Sequence, residues 1–149
     1  ISIIIRDGEI YVDTPFAVEG AERPLTCHDM GRVDEEGMLY FLGRREDQYH
    51  IKGNHVSRQK VLSHLLMLPG VEEAEVIGEK QANGDDRLIA FLSGQVPASD
   101  ARLMSLLAGR LRVWEIPHRI LRVASIPKTS TGKTDRKRLL AMAEAVSLE

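Results

Sequence analysis

The chain has 149 residues, 43% of them hydrophobic and 28% charged, which is enough for one real core with a small appendage and too apolar for a disordered segment. A formal net charge of -2 excludes a whole-molecule field that would gather nucleic acid or an acidic membrane, so any bound anion must be held locally. The single cysteine, Cys27, excludes an internal disulfide framework and a cysteine-based zinc site, and no apolar run approaches the roughly 18 residues of a membrane span, so a reducing, cytoplasmic setting is expected.

Ile1 to Ile5 and Glu9 to Val12 are β-rich runs around Asp7-Gly8, a turn pair that predicts a hairpin. The start at Ile1 rather than Met is read as the mark of a fragment or a trimmed N-terminus. Residues 13–24 carry Pro15, Gly20 and Pro24 without periodicity and are expected to be loop. A strand, the acidic turn Asp34-Glu35-Glu36-Gly37 and a second strand through Leu42 follow, so the chain is all-β in character up to Gly43. A domain boundary is placed at the charged run Arg44 to Asp47, dividing the chain into 1–45 and 46–149.

Beyond it, Tyr49 and Ile51 alternate with Gln48, His50 and Lys52, which predicts a strand with one wholly polar face. Val61, Leu62, Leu65 and Leu66 recur at helical spacing, and Leu68-Pro69-Gly70 ends that helix. Two strands, Val71 to Gly78 and Arg87 to Ser93, flank a turn at Asn83-Gly84-Asp85-Asp86. Leu103, Leu106, Leu107 and Leu111 mark a second helix capped by Ser99 or Asp100. Ile120 to Ile126 reads as a further strand, and Leu139, Leu140 and Ala143 share one side of a last helix that starts near Thr134. The order predicts a compact α+β domain.

Thr131-Gly132-Lys133-Thr134 lies between a predicted strand and a predicted helix, the setting of a phosphate-cradling loop. That pattern needs a glycine where Pro127 stands, and proline has no N–H to give a phosphate. Two readings stay open on the residues alone. Lys133 is either a point charge on a Gly-containing tip, inserted into a site built elsewhere, or part of a solvated basic helix start with Lys128, Arg136, Lys137 and Arg138.

Several runs together resemble the C-terminal region of the adenylate-forming superfamily, which includes acyl- and aryl-CoA synthetases and the adenylation domains of nonribosomal peptide synthetases. They are His28 to Arg32, Asp34 to Tyr40, Gly43 to Gly53, Pro69 to Ala74, Ile116 to Arg119 and Thr131 to Lys137. The resemblance implies a small mobile C-terminal domain with a three-stranded sheet, flanking helices and a two-stranded hairpin. It would follow a β-rich tail of a large N-terminal domain whose phosphate loop and acid pocket are not in this chain. It further implies an acid-thiol ligase that needs that missing domain, with ATP and Mg²⁺, a small-molecule carboxylic acid, and CoA or the phosphopantetheine of a carrier protein as reactants.

By the same resemblance Lys133 is the catalytic lysine of acyl-adenylate formation, and Asp29 and Arg44 bind the nucleotide ribose. Glu46 is the hinge, Gln48, His50, Lys52 and Gly53 form the loop of the thioester step, and no metal ligand is expected in this fragment. Three departures stand out. His28 replaces the family's glycine, His50 and Lys52 replace its lysine and arginine, and Ser57-Arg58-Gln59-Lys60 gives a basic helix start without a capping box, on a surface that could meet CoA or a carrier.

The five histidines show no metal spacing apart from a loose His50 and His55 pair, and are read as surface or core histidines. Cys27 is expected to be a small buried side chain and Trp114 a packing anchor. Three function classes remain: an acyl- or aryl-CoA synthetase, an adenylation domain loading a carrier protein, and a noncatalytic binding module. The absence of linker composition before Glu149 favours a stand-alone ligase.

Overall fold

The structure is a computed structural model that describes residues 1–147; residues 148 and 149, included in the predicted second domain, lie outside the described residues. The chain divides into two compact units, residues 1–48 and residues 49 onward.

In the first unit, β1 (Ser2–Arg6), β2 (Glu9–Asp13), β3 (Leu25–Val33) and β4 (Leu39–Arg44) form an antiparallel sheet in sequence order. Arg6 pairs with Glu9 across Asp7 and Gly8, whose φ angles of 50° and 79° make the two-residue turn expected from that dipeptide. Asp34 shapes the β3–β4 turn by accepting the N–H groups of Glu36 and Met38 on Oδ1. Only Glu9 and Gly31 are buried among these residues, and Phe41 remains 64% exposed. The sheet has no apolar core of its own. Cys27 is exposed rather than buried as expected, because nothing in this unit covers that part of β3.

The second unit opens within β5 (Gln48–Ile51), whose first residue is the last of the first unit, and continues with its hairpin partner β6 (Asn54–Ser57), α1 (Arg58–Leu66), β7 (Val71–Lys80), β8 (Asp86–Gly94), α2 (Asp100–Ala108), β9 (Arg119–Arg122) and α3 (Arg136–Ser147). The three-stranded sheet has the order β7-β8-β9, with β7 antiparallel and β9 parallel to the central strand. This is the α+β architecture the sequence predicts.

Alternation along β8 divides the interior in two. Leu88, Ala90 and Leu92 join Val61, Leu65, Leu103 and Leu107 in one cluster, whereas Ile89 and Phe91 join Ile77, Ile126, Leu139 and Ala143 in another. The helices form where the leucine spacing puts one stripe on these clusters and a side chain caps the first turn. Ser57 accepts from Lys60 N–H, Ser99 from Arg102 N–H and Asp135 from Arg138 N–H.

Leu111 lies beyond α2 yet is buried, because the chain turns back there and its N–H bonds the Leu107 carbonyl. The strand expected over 120–126 pairs only to Arg122. Val123 still donates to Leu92 O, after which the chain leaves the sheet ahead of Pro127, with Ile126 buried in the second cluster.

The basic start of α1 is tied down internally rather than presented to a partner. Arg58 ion-pairs with buried Glu75, and Lys60 Nζ lies 2.8 Å from Oε2 of buried Glu115, whose Oε1 also accepts Arg112 N–H at 2.9 Å. Cations in a first turn oppose the helix dipole, and these two carboxylates offset that penalty. Burial pushes the Glu115 carboxyl up, but the Lys60 ammonium and Arg112 N–H outweigh it and hold it below the usual glutamate range. No helix of the described residues is long and apolar enough to cross a membrane.

Two predictions follow from this packing. At Gly70, φ is +85° and an added Cβ would lie 1.8 Å from the Gln95 carbonyl oxygen, whereas at Gly84, φ +88°, it would meet open space. In denaturant titrations Gly84→Ala should cost about 1–2 kcal/mol, the left-handed penalty alone, and Gly70→Ala about 3 kcal/mol or more. Equal losses would refute the close approach. Glu115→Gln should cost about 1–2 kcal/mol at neutral pH. Because the native Glu115 value is lowered, its stabilisation is complete above the unfolded-state value and fades as acid brings pH down through the native one. The gap between variant and parent should therefore close in acid, and a gap independent of pH would show that the charge is not the cause.

Candidate functional site

Three places carry the residues singled out in the sequence. In the first unit, the β3–β4 register sets Asp29 directly opposite Arg44. Arg44 Nε approaches Asp29 Oδ1 to 3.3 Å, out of line for a hydrogen bond, and that buried oxygen accepts none among the described residues. A buried carboxylate oxygen without a donor is costly, and a ligand hydroxyl would satisfy it. The adjoining cleft is lined by Cys27, His28, Arg44, Arg45 and Glu46. Glu46 is exposed in the 3-10 turn Arg45–Asp47 that leads into β5.

Sequence reasoning missed Glu9, which organises this edge. It is 5% exposed and takes the Thr26 hydroxyl on Oε1, His28 Nδ1 at 3.0 Å on the same oxygen, and Arg45 Nη1 at 3.1 Å on Oε2. The Thr26 hydroxyl, together with His28 and Arg45, holds the Glu9 carboxyl below its usual range against the opposing effect of burial. His28 sits at φ 61°, the left-handed conformation that a glycine would adopt freely, with its backbone N–H bound to Thr26 Oγ1. A lone carboxylate at a strand start gives no sign of partners so distant in sequence. The only available signal was an acid beginning an otherwise apolar strand.

The second place is the β5–β6 hairpin. Lys52 and Gly53 take φ 49° and 77°, a tight two-residue turn, and a Cβ on Gly53 would meet nothing within 4 Å. Tyr49, Ile51 and Val56 point into the first cluster, leaving His50 and Lys52 exposed and Gln48 half-buried, its amide donating to Leu42 O at 2.8 Å. The Tyr49 ring lies where a Gly78 side chain would be, 2.4 Å from its ideal Cβ. Asp86 Oδ2 accepts His50 N–H at 2.8 Å and Asp85 Oδ2 accepts Lys52 N–H at 3.4 Å.

The third place is the lysine loop. Lys128 and Thr134 form an antiparallel bridge, Thr129 N–H donates to Lys133 O at 2.6 Å, Gly132 N–H to Thr129 O at 3.0 Å and Asp135 N–H to Pro127 O at 2.8 Å. These donors close the loop on itself and cannot cradle a phosphate, in keeping with Pro127. Gly132 makes the turn at φ 84°, and the Lys133 side chain is exposed. The loop is anchored by Ile126 before it and Leu139 after it, both in the second cluster.

Residues 61–133 match the family model of the AMP-binding enzyme C-terminal domain. Among curated relatives, the isonitrile lipopeptide synthase of Streptomyces coeruleorubidus is 35% identical over 87% of this chain and 9% of its own length. The L-allo-isoleucine:holo-[CmaA peptidyl-carrier protein] ligase of Pseudomonas savastanoi pv. glycinea is 38% identical over 71% of the chain and 18% of its own. Among solved structures, the o-succinylbenzoate CoA synthetase of Bacillus subtilis in complex with its acyl-adenylate intermediate matches 93% of the chain and 33% of its own, with TM-score 0.70 and 29% identity. The chain thus spans less than a fifth of the length of either curated relative. With its β-hairpin, three-stranded sheet and lysine loop, the chain belongs with the AMP-binding enzymes, as the C-terminal portion of an adenylate-forming enzyme.

Proposed function

We propose that this chain is the C-terminal part of an enzyme that activates a carboxylic acid with ATP and then transfers the acyl group to a thiol. The observation that carries the reading is the placement of the two catalytic elements in the second unit. The hairpin rests on one hydrophobic cluster and the lysine loop on the other, so a single sheet presents them from opposite faces. A rigid domain built that way can offer only one of them to a given reaction centre at a time. Serving two half-reactions then requires it to turn, and Glu46, in the turn ahead of β5, is the proposed hinge.

In the first half-reaction a carboxylate oxygen attacks the α-phosphorus of ATP and pyrophosphate leaves. Both reactants are anions, and the Lys133 ammonium, carried at the exposed loop, neutralises their approach and orients the acid. Asp29 and Arg44 hold the ribose, and the unsatisfied Asp29 Oδ1 fits a hydroxyl donor. Among the described residues no three His, Cys, Asp or Glu side chains converge on a metal position, so the Mg²⁺ that accompanies ATP is assigned no ligand here.

In the second half-reaction the thiol sulfur attacks the acyl carbon, AMP leaves with the bonding pair and the thiol proton passes to solvent. The open surface at Gly53, with Gln48, His50 and Lys52 beside it, lines the approach of the pantetheine arm. Residues 1–45 are the tail of the large domain, a role supported by their lack of a buried apolar side chain, since a sheet this bare needs a cover. CoA is the acceptor expected from the sequence. A carrier protein is the second reading, favoured by the 38% identity to a ligase whose name specifies a carrier protein.

In the full-length protein, Lys133→Ala should lower carboxylate-dependent ATP–pyrophosphate exchange about 100-fold or more, while thioester formation from supplied acyl-adenylate persists. Equal loss of both would count against the role. Glu46→Pro should spare exchange and slow thioester formation by restricting the hinge. An unchanged second step would remove Glu46 from that role. Running the thioester assay with CoA and with a holo-carrier protein separates the two acceptors.

A further inference from the structure

The hairpin carries a feature that the adenylation and thioester roles leave unused. Its turn residues are Lys52 and Gly53, so Ile51 faces Asn54 and His50 faces His55 directly across the two strands. In a two-residue hairpin the pair flanking the turn exchanges hydrogen bonds and the next pair does not. The His50 N–H accordingly points outward, to Asp86 Oδ2 at 2.8 Å. Non-hydrogen-bonded pairs bring side chains closest, and the two imidazoles stand with centroids 4.3 Å apart, inclined at 62°.

Both histidines are exposed, while the backbone beneath them is fixed. Tyr49, Ile51 and Val56 are 7%, 3% and 0% exposed, and Asp86, itself 9% exposed, anchors the strand from the side. Two ring nitrogens on one four-coordinate ion lie roughly 3.3 Å apart, a separation that small rotations of adjacent rings supply.

From this arrangement we infer that His50 and His55 form a chelating site for a divalent transition ion of the Zn²⁺ class. This departs from the sequence expectation of no metal ligand in this chain, and among the described residues no third His, Cys, Asp or Glu joins the pair. Imidazole pairs suit Zn²⁺, Ni²⁺ and Cu²⁺, and with only two protein ligands the ion keeps open positions. A thiolate is the soft ligand such an ion prefers, and resting on the reading that this hairpin lines the thiol's path, the bound ion takes up the acceptor sulfur as thiolate, its proton passing to solvent and a coordinated water leaving, and slows the thioester step. Acyl-adenylate formation, which uses the lysine loop, is untouched.

The test is calorimetric titration of the chelator-stripped full-length protein with ZnCl₂, in parent, His50→Gln, His55→Gln and the double variant, followed by histidine-selective NMR of the imidazole nitrogens. One saturable event should weaken about tenfold or more in each single variant, because losing either ring ends chelation, and vanish in the double variant. The His50 and His55 signals should shift together at one equivalent. Zinc binding that is unaltered in the double variant, or signals that do not move, would overturn the site. The same samples then report pyrophosphate exchange and thioester formation from supplied acyl-adenylate. Each sample is compared with itself with and without zinc, and zinc-dependent slowing of the second step alone, present in the parent and absent in His55→Gln, supports the placement of the hairpin on the thiol's path. Zinc bound at the pair with the second step unaffected would leave the site standing and overturn that placement.

Discussion

Burial of β8 on both faces is the constraint from which the second unit is built. Leu88, Ile89, Ala90, Phe91 and Leu92 are each 0–1% exposed, so every residue along this stretch must find apolar neighbours on its own side of the sheet. One side is filled by α1, α2 and the hairpin, the other by Ile126 and α3. The functional elements inherit their positions from this demand. The hairpin is held because Tyr49, Ile51 and Val56 complete one cluster, and the lysine loop is held because Ile126 and Leu139 complete the other. Both are anchored by buried apolar residues, and His50, Lys52 and Lys133 are displayed at the surface.

The first unit works by the opposite rule. Its one well-buried side chain is a carboxylate, and Glu9 gathers Thr26 and His28 from β3 and Arg45 from the turn after β4 around itself. A polar hub of this kind fixes local geometry where apolar packing is absent, and it brackets the Asp29 and Arg44 pair by gripping the residue next to each. The left-handed backbone at His28 is tolerable for the same reason, since its N–H and ring are both satisfied.

Much of the second unit was legible in sequence because its signals are local. The alternation of Tyr49 and Ile51 with His50 and Lys52, the leucine spacing of the helices, and Ser99 as a cap all appear as read. Asp7-Gly8 likewise fixed its turn by backbone preference alone. What could not be read were pairings between distant residues. Arg58 and Lys60 looked like a free basic surface because Glu75 and Glu115, which neutralise them, carry no local mark of that role. Cys27 looked like a core residue because burial depends on cover, and sequence does not show what lies above a sheet. The proposed site residues were legible only through resemblance, and the β3–β4 register that sets Asp29 opposite Arg44 could not be read from two residues so far apart.

The mixed pairing of the three-stranded sheet also bears on how the domain assembles. β7 and β8 close across a short turn and can meet early, whereas β9, being parallel, can join β8 only after the chain has travelled from Gly94 through α2 to Arg119. Contacts of high sequence separation carry the larger loop-closure cost, and Ile126 and α3 reach Ile77, Ile89 and Phe91 only through such contacts. The lysine loop and α3 therefore acquire their shape after the hairpin's side of the sheet, an order that pulse-labelled hydrogen exchange would read as late protection of Val123 and Leu139. A nascent or partly unfolded molecule would then display the hairpin while the loop that carries Lys133 still lacked the Ile126 and Leu139 packing that anchors it.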